Sequence, residues 1–255
     1  MSATSKNHVG AGTAIAVIYR LLLGQLLTTG RAIGLGLFGA VLAVVAWAVE
    51  RSESSDAMLE LAARRESAAI LLALLGLGAV VPIVTLAFSG GALGDLRDDQ
   101  TLVYLWLRPM DRWPIVVGAV LAGITVSIPF ATLPVVVAAA VLNVGSQMVV
   151  AALLTSLVGV VAYAAVFVLL GLVVRNSIVW GLAYVIVWEG VAATFGNLPA
   201  RLSIRGYTTS ILSDQTSVDL EFADLAQSSA FAVLALITVA AVVLATRRLR
   251  RIEVP

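Results

Sequence analysis

The residues of this chain that could carry chemistry are concentrated in one charged stretch, Ser89 to Trp113. Four acids and three arginines lie there between two long apolar runs, in a chain of which only 12% is charged. Asp95, Asp98 and Asp99 fall in the first turns of an expected helix over 94–107, where negative charge suits the positive end of the helix dipole. A stretch this charged is where the chain should meet a soluble partner.

The expected helix also has an apolar stripe. Leu102, Leu105 and Trp106 recur at i, i+3 and i+4, and Pro109 ends the pattern. Its polar face is mainly acidic, whereas a helix that lies on anionic lipid is usually basic on that face. The pattern therefore favours a protein partner over a helix that merely rests on the membrane.

Glu189 is a second candidate, because it is the only acid well within an apolar run. An acid at bilayer depth is a functional hypothesis by default. It either lines a transport path or has a structural role, in which it is protonated, snorkels outward, or pairs with Arg201 or Arg205. The aromatics Trp180, Tyr184 and Trp188 nearby recur every four residues and predict a packing stripe.

Several kinds of chemistry are disfavoured by composition. The chain has no cysteine, and its one histidine, His8, cannot by itself form a histidine-rich metal site or a Ser–His–Asp triad. The one lysine, Lys6, is not part of a G-x-x-x-x-G-K loop, so the phosphate-binding Walker A motif is missing. We therefore expect no catalytic residue, metal site or cofactor in this chain. The arginine cluster at 247–251 abuts an apolar run, which argues against a nucleic-acid role.

The elements that must position these residues are membrane helices. The chain is 60% hydrophobic, and its apolar runs are long enough to cross about 30 Å of hydrocarbon as helices. We predict an all-α integral membrane protein with one domain over 1–255 and six transmembrane helices. The expected spans are about 32–49, 68–88, 114–142, 148–174, 178–196 and 228–246.

The remaining segments have weaker signals. Residues 1–30 predict a polar tail followed by an interfacial helix with Arg20 and Arg31 on one face, or else an extension of the first span. Pro129 predicts a disturbed third span, because proline removes a backbone donor. The segment 197–227 is either a re-entrant hairpin or lid, or a solvated loop with a surface helix.

Arginine bias predicts the orientation of the chain. With both termini in the cytoplasm, most basic residues lie on the inner side, and the charged stretch lies there too. The C-terminal cluster at 247–251 would contact anionic lipid. Abundant Ala, Val, Leu and Arg with almost no lysine is typical of a GC-rich prokaryote, so we expect the plasma (inner) membrane.

The charged stretch resembles the first cytoplasmic loop of ABC type-2 permeases, the membrane subunits of a class of ATP-binding-cassette exporters. Members of that family carry acidic-x-x-x-Gly-Thr-Leu-x-x-Leu-Leu followed by x-Pro-x-x-Arg. The matching positions here are Thr101, Leu102, Leu105, Pro109 and Arg112. Gln100 stands where glycine is usual, and Asp111 where serine is common. Two further stretches, 188–190 and 202–204, are similar to the family's fifth span and the segment after it.

This resemblance implies a fold and a set of partners. The fold would be the type V exporter-like permease fold, with an interfacial helix, six spans and cytoplasmic termini. The permease would form the translocation pathway with a second copy of itself or a homologous permease, and separate ATPase subunits would bind ATP and Mg. The implied ATPase-coupling interface comprises Asp95, Arg97, Asp98, Asp99, Gln100, Thr101, Leu102, Tyr104, Leu105 and Arg108.

A different class of function remains open. The alternative is an ion-coupled secondary transporter, or a membrane scaffold protein, without an ATPase. An ion-coupled carrier should have ionisable or unwound polar sites at bilayer depth, and only Glu189 comes near that requirement. A membrane enzyme is less favoured, because the sequence shows no nucleophile–base pair or metal set.

Overall fold

The computed structural model describes residues 10–52, 59–98, 111–191, 203–220 and 227–251, and every regular element among them is a helix. We number the helices in chain order. They are α1 (Ala11–Leu26), α2 (Thr29–Ser52), α3 (59–98), α4 (113–141), α5 (Ser146–Val173), α6 (177–191), α7 (Ile204–Thr216) and α8 (Gln227–Arg251). The predicted all-helical class is confirmed for these residues.

Five of these helices, α2, α3, α4, α5 and α8, are long and apolar enough to cross a membrane. Large apolar side chains such as Leu37 of α2 and Leu236 of α8 are exposed, as expected of helices that face lipid. The fifth predicted span, 178–196, corresponds to α6, whose described residues fall short of the roughly 20 that a crossing helix needs. The described residues therefore contain five candidate spans, where six were predicted.

α3 is longer than the predicted second span. It runs without interruption through Leu59–Leu71, a π-helical segment Leu72–Val80, Val81–Thr85, a second π-helical segment Leu86–Gly90, and Gly91–Asp98. The prediction that the span ends near residue 88 and that a separate helix begins at Gly94 is wrong. Tertiary packing overrides the low helix propensity of glycine here, because Gly90 and Gly94 let α3 approach its neighbours closely.

The proline-containing third span has the predicted disturbance. α4 consists of Trp113–Ser127, a π-helical segment Ile128–Thr132 and Leu133–Val141. Pro129 lies in the π-helical segment, where its missing N–H interrupts the regular ladder. Pro134 follows one turn later and packs on α2, where a Cβ added to Gly39 would lie 2.6 Å from its ring.

α1 is a helix separate from α2, and so it is not an extension of the first span. It ends at Leu26, and α2 begins at Thr29. Its buried side chains recur every four residues and pack on α4, while Arg20 is exposed. These buried residues are Ala14, Ile18, Leu22 and Leu26.

α5 is the central helix of the fold, because it packs against α3, α4, α7 and α8. Its Tyr163 and Phe167 are fully buried, and their rings stack with centroids 5.5 Å apart. α7 lies in the segment 197–227 and buries most of its residues. It is therefore not a solvated surface helix.

Candidate functional site

Charged residues from separate parts of the chain meet at one end of the bundle. We call this cluster, made of Arg31, Asp95, Arg97, Asp98 and Asn176, the polar junction. Arg31 at the start of α2 donates through Nη2 to Asp95 Oδ2 at 2.8 Å. About a third of each side chain is exposed, at 33% and 30%, so the pair is screened by solvent.

The other two charged residues of the polar junction, both in α3, contact α5 and the residue just before α6. Arg97 Nη1 donates to the carbonyl oxygen of Leu172 at 3.2 Å, in the last turn of α5. A cation suits this position, because the last carbonyls of a helix have no intrahelical partner and carry its negative dipole end. The exposed Asp98 accepts at Oδ2 from the backbone N–H of Asn176, just before α6, at 3.4 Å.

Beneath these charges the helices touch almost backbone to backbone. Ser177, the first residue of α6, donates its buried hydroxyl to the Gly90 carbonyl oxygen at 3.0 Å. A Cβ added to Gly171 of α5 would lie only 2.6 Å from that same oxygen. The end of α3 is therefore fixed to α5 and α6 by close packing as well as by charge.

The structure brings together three of the residues predicted for the ATPase-coupling interface. Asp95, Arg97 and Asp98 all lie in the polar junction, on the last two turns of α3. The other seven predicted interface residues lie outside the described residues; they are Asp99, Gln100, Thr101, Leu102, Tyr104, Leu105 and Arg108. Sequence reasoning missed the roles of Arg31 and Asn176, because nothing in a sequence pairs Arg31 with an acid 64 positions later.

Glu189 forms the second polar cluster. Its side chain is only 1% exposed and accepts hydrogen bonds from three of the residues that the structure describes. Tyr184 Oη donates to Oε1 at 2.7 Å, Ile204 N donates to Oε1 at 3.1 Å, and Arg205 N donates to Oε2 at 3.0 Å. The two backbone donors are in the first turn of α7, where N–H groups have no intrahelical partner and favour an anion. We call this arrangement the Glu189 clasp.

Arg205, one of the two partners that the sequence suggested for Glu189, contacts the carboxylate through its backbone and not through its side chain. Arg205 contacts it through the backbone N–H, and the guanidinium Nη1 donates to the backbone oxygen of Glu189 at 3.4 Å rather than to the carboxylate. Arg201, the other suggested partner, lies outside the described residues. The Arg205 guanidinium also packs on α3, since a Cβ added to Gly78 would lie 3.1 Å from its Cζ.

The aromatic residues around the clasp were interpreted from sequence as packing alone. Tyr184 does pack, with its ring edge-on to Phe167 at 6.2 Å, but its hydroxyl also orients the carboxylate. The five-residue spacing between Tyr184 and Glu189 suits the π-helical segment Tyr184–Val191, whose turns are wider than those of an α-helix. Trp180, from the same stripe, is instead 60% exposed.

No protein-family model matches the chain, and no curated protein matches it. The fold by itself defines a class, a helical protein with the architecture of a multi-pass membrane protein. Among the residues that the structure describes, no group of three or more His, Cys, Asp or Glu side chains could hold a metal ion.

Proposed function

We propose that this protein is the permease subunit of an ABC exporter, with six spans, cytoplasmic termini and a place in a prokaryotic plasma membrane. It forms the translocation pathway with a second permease copy or a homologue, and a separate ATPase subunit binds ATP and Mg. The observation that supports the proposal best is the polar junction. The last turns of α3 form the first part of the charged stretch that would dock on the ATPase. The same turns contact three other helices.

Those contacts could transmit a displacement of the charged stretch to other membrane helices. Asp95 would pass a displacement to α2 through Arg31, Arg97 to α5 through Leu172, and Asp98 to the start of α6. A loop that receives motion from a soluble ATPase needs a firm connection of this kind to the membrane helices.

The Glu189 clasp bears on the alternative, an ion-coupled carrier. In such a carrier the intramembrane acid would bind the ion or proton. Here both carboxylate oxygens already accept hydrogen bonds, two of them from the backbone of α7. This arrangement favours a fastening role for Glu189 and so supports the permease over the carrier.

Purification of the tagged chain from its native membrane in mild detergent, with mass spectrometry of the co-purifying proteins, tests the proposal. We expect a stoichiometric soluble chain that carries a Walker A loop and hydrolyses ATP. Recovery of the chain alone, with its behaviour unaffected by ATP, would favour the ion-coupled carrier or the scaffold instead.

Charge reversal tests the docking surface. The double variant Asp98→Lys, Asp99→Lys should insert and fold but lose most of the co-purifying ATPase, because the introduced lysines would repel the surface that the acids normally complement. The matched control is Asp214→Lys, Asp219→Lys, which reverses two exposed acids after the start of α7. Equal ATPase recovery with both variants would show that the acids at 98 and 99 are not the coupling surface.

A further inference from the structure

α6 has a polar fastening at each of its ends. At its start, the Ser177 hydroxyl donates to the Gly90 carbonyl oxygen of α3, and this bond is buried. Near its other end, the buried Glu189 carboxylate holds the first turn of α7. The two fastenings are twelve positions apart, or about 18 Å along the helix at roughly 1.5 Å per residue.

Between these two ends, α6 contacts the bundle mainly through apolar packing, as at the buried Val185. One face consists of apolar side chains that are more than half exposed, namely Val179, Trp180, Ile186 and Val187. On the face turned to α3, Gly181 lies so close to Leu86 that an added Cβ would collide with the leucine side chain. Apolar contacts of this kind are non-directional, so the two polar ends determine which neighbours a displacement of α6 carries with it.

The carboxylate is also held rigidly with respect to α6 itself. Tyr184 Oη donates to Glu189 Oε1 at 2.7 Å, and the Tyr184 ring is fixed edge-on against Phe167. The fully buried Tyr163 stacks on the same Phe167. A displacement of α6 therefore reaches the first turn of α7 without being absorbed by rotation of the Glu189 side chain.

We propose that α6 is a strut that transmits displacement between the polar junction and α7, with Glu189 as the positioning residue at its α7 end. Its consequence for transport rests on the proposed function, because movement of the end of α3 by an ATPase would then move α7. The strut itself requires no ATPase, and its test uses none.

The chain lacks cysteine, so one introduced thiol reports on α7 alone. Thr209→Cys places it on α7 at a side chain that is 4% exposed, and its rate of reaction with N-ethylmaleimide in liposomes measures how often α7 leaves its site. Glu189→Gln keeps the side-chain size but removes the charge that holds two backbone donors, and should raise the rate about tenfold. Ser177→Ala, at the far end of α6, should raise it several-fold.

The double variant Ser177→Ala, Glu189→Gln distinguishes a strut from two separate contacts. In a strut, Ser177 affects α7 only through Glu189, so the double variant should react at about the rate of Glu189→Gln alone. Independent sites this far apart would instead multiply their effects on the rate. A multiplied rate, or an unchanged rate in either single variant, overturns the strut.

Two controls separate the strut from general loosening. Thr155→Val removes a buried hydroxyl that bonds only within α5, and Ser203→Ala removes the side-chain cap of α7 that accepts from Gly206 N. Thr155→Val should stay within about twofold of the parent rate, and Ser203→Ala should remain well below Glu189→Gln. A rise in Thr155→Val equal to that of Ser177→Ala would overturn the proposal. If labelling follows the expected pattern and no ATPase co-purifies, the strut stands and only the proposed function fails.

Discussion

The polar junction and the Glu189 clasp both join helix ends through carboxylates, but they do so in opposite surroundings. The Arg31–Asp95 pair keeps about a third of each side chain in contact with the exterior, whereas Glu189 is 1% exposed. Exposed pairs are screened and contribute about 0–1 kcal/mol. A buried carboxylate strongly favours one geometry, because each unmet donor costs free energy. The Arg31–Asp95 pair can therefore be repositioned at little cost in free energy, while the clasp fixes one arrangement.

The largest expected effect comes from removing the buried carboxylate of the Glu189 clasp. Glu189→Ala leaves the buried donor of Ile204 and the partly buried donors of Tyr184 and Arg205 without their acceptor, and we expect it to lower the free energy of unfolding by about 2–5 kcal/mol. Unfolding in mixed micelles measures this loss. Glu189→Asp, which keeps the charge but shortens the reach, should fall between Ala and the parent; a loss below about 1 kcal/mol for Glu189→Ala would contradict a satisfied clasp.

A smaller effect concerns the packing beneath the junction. Gly171→Ala would place a Cβ 2.6 Å from the Gly90 oxygen, so α3 and α5 must move apart, at a cost of about 1–3 kcal/mol. The control is Gly34→Ala in α2, where an added Cβ meets no atom within 4 Å. Thermal unfolding should separate the two variants, with Gly34→Ala neutral or slightly stabilising. Equal behaviour would mean that the close approach of α3 and α5 does not occur.

The smallest expected effect concerns the exposed Arg31–Asp95 ion pair of the polar junction. A double-mutant cycle with Arg31→Ala and Asp95→Ala should give a coupling free energy of at most about 1 kcal/mol. Raising the salt concentration from about 0.1 M to about 1 M should weaken the coupling, because the Debye length falls to roughly 3 Å. A coupling above about 2 kcal/mol that salt does not change would show that the junction is as fixed as the clasp.

Helix positions were largely predictable from sequence, because hydropathy over some 20 residues reports burial in lipid or core directly. The buried position of α7 was not predictable, since its serines and threonines also suit a solvated segment. These hydroxyls can be buried because they bond within the helix, as Ser210 does to Gly206 O and Thr216 to Leu212 O. Likewise Asp95 and Glu189 stood out as acids, but their partners did not. Arg31 is 64 positions from Asp95, and Ile204 approaches Glu189 only through the fold.

The π-helical segment Tyr184–Val191 makes this part of the chain sensitive to the number of its residues. In a regular α-helix, residues five apart point about 140° away from each other, so Tyr184 could not reach Glu189 in the same way. Wider winding brings them onto a common face. A deletion of one residue between them would restore ordinary winding and change which side of α6 carries the acid. Any natural variant that keeps this acid with its tyrosine must therefore preserve the length of the segment as strictly as the identity of either side chain.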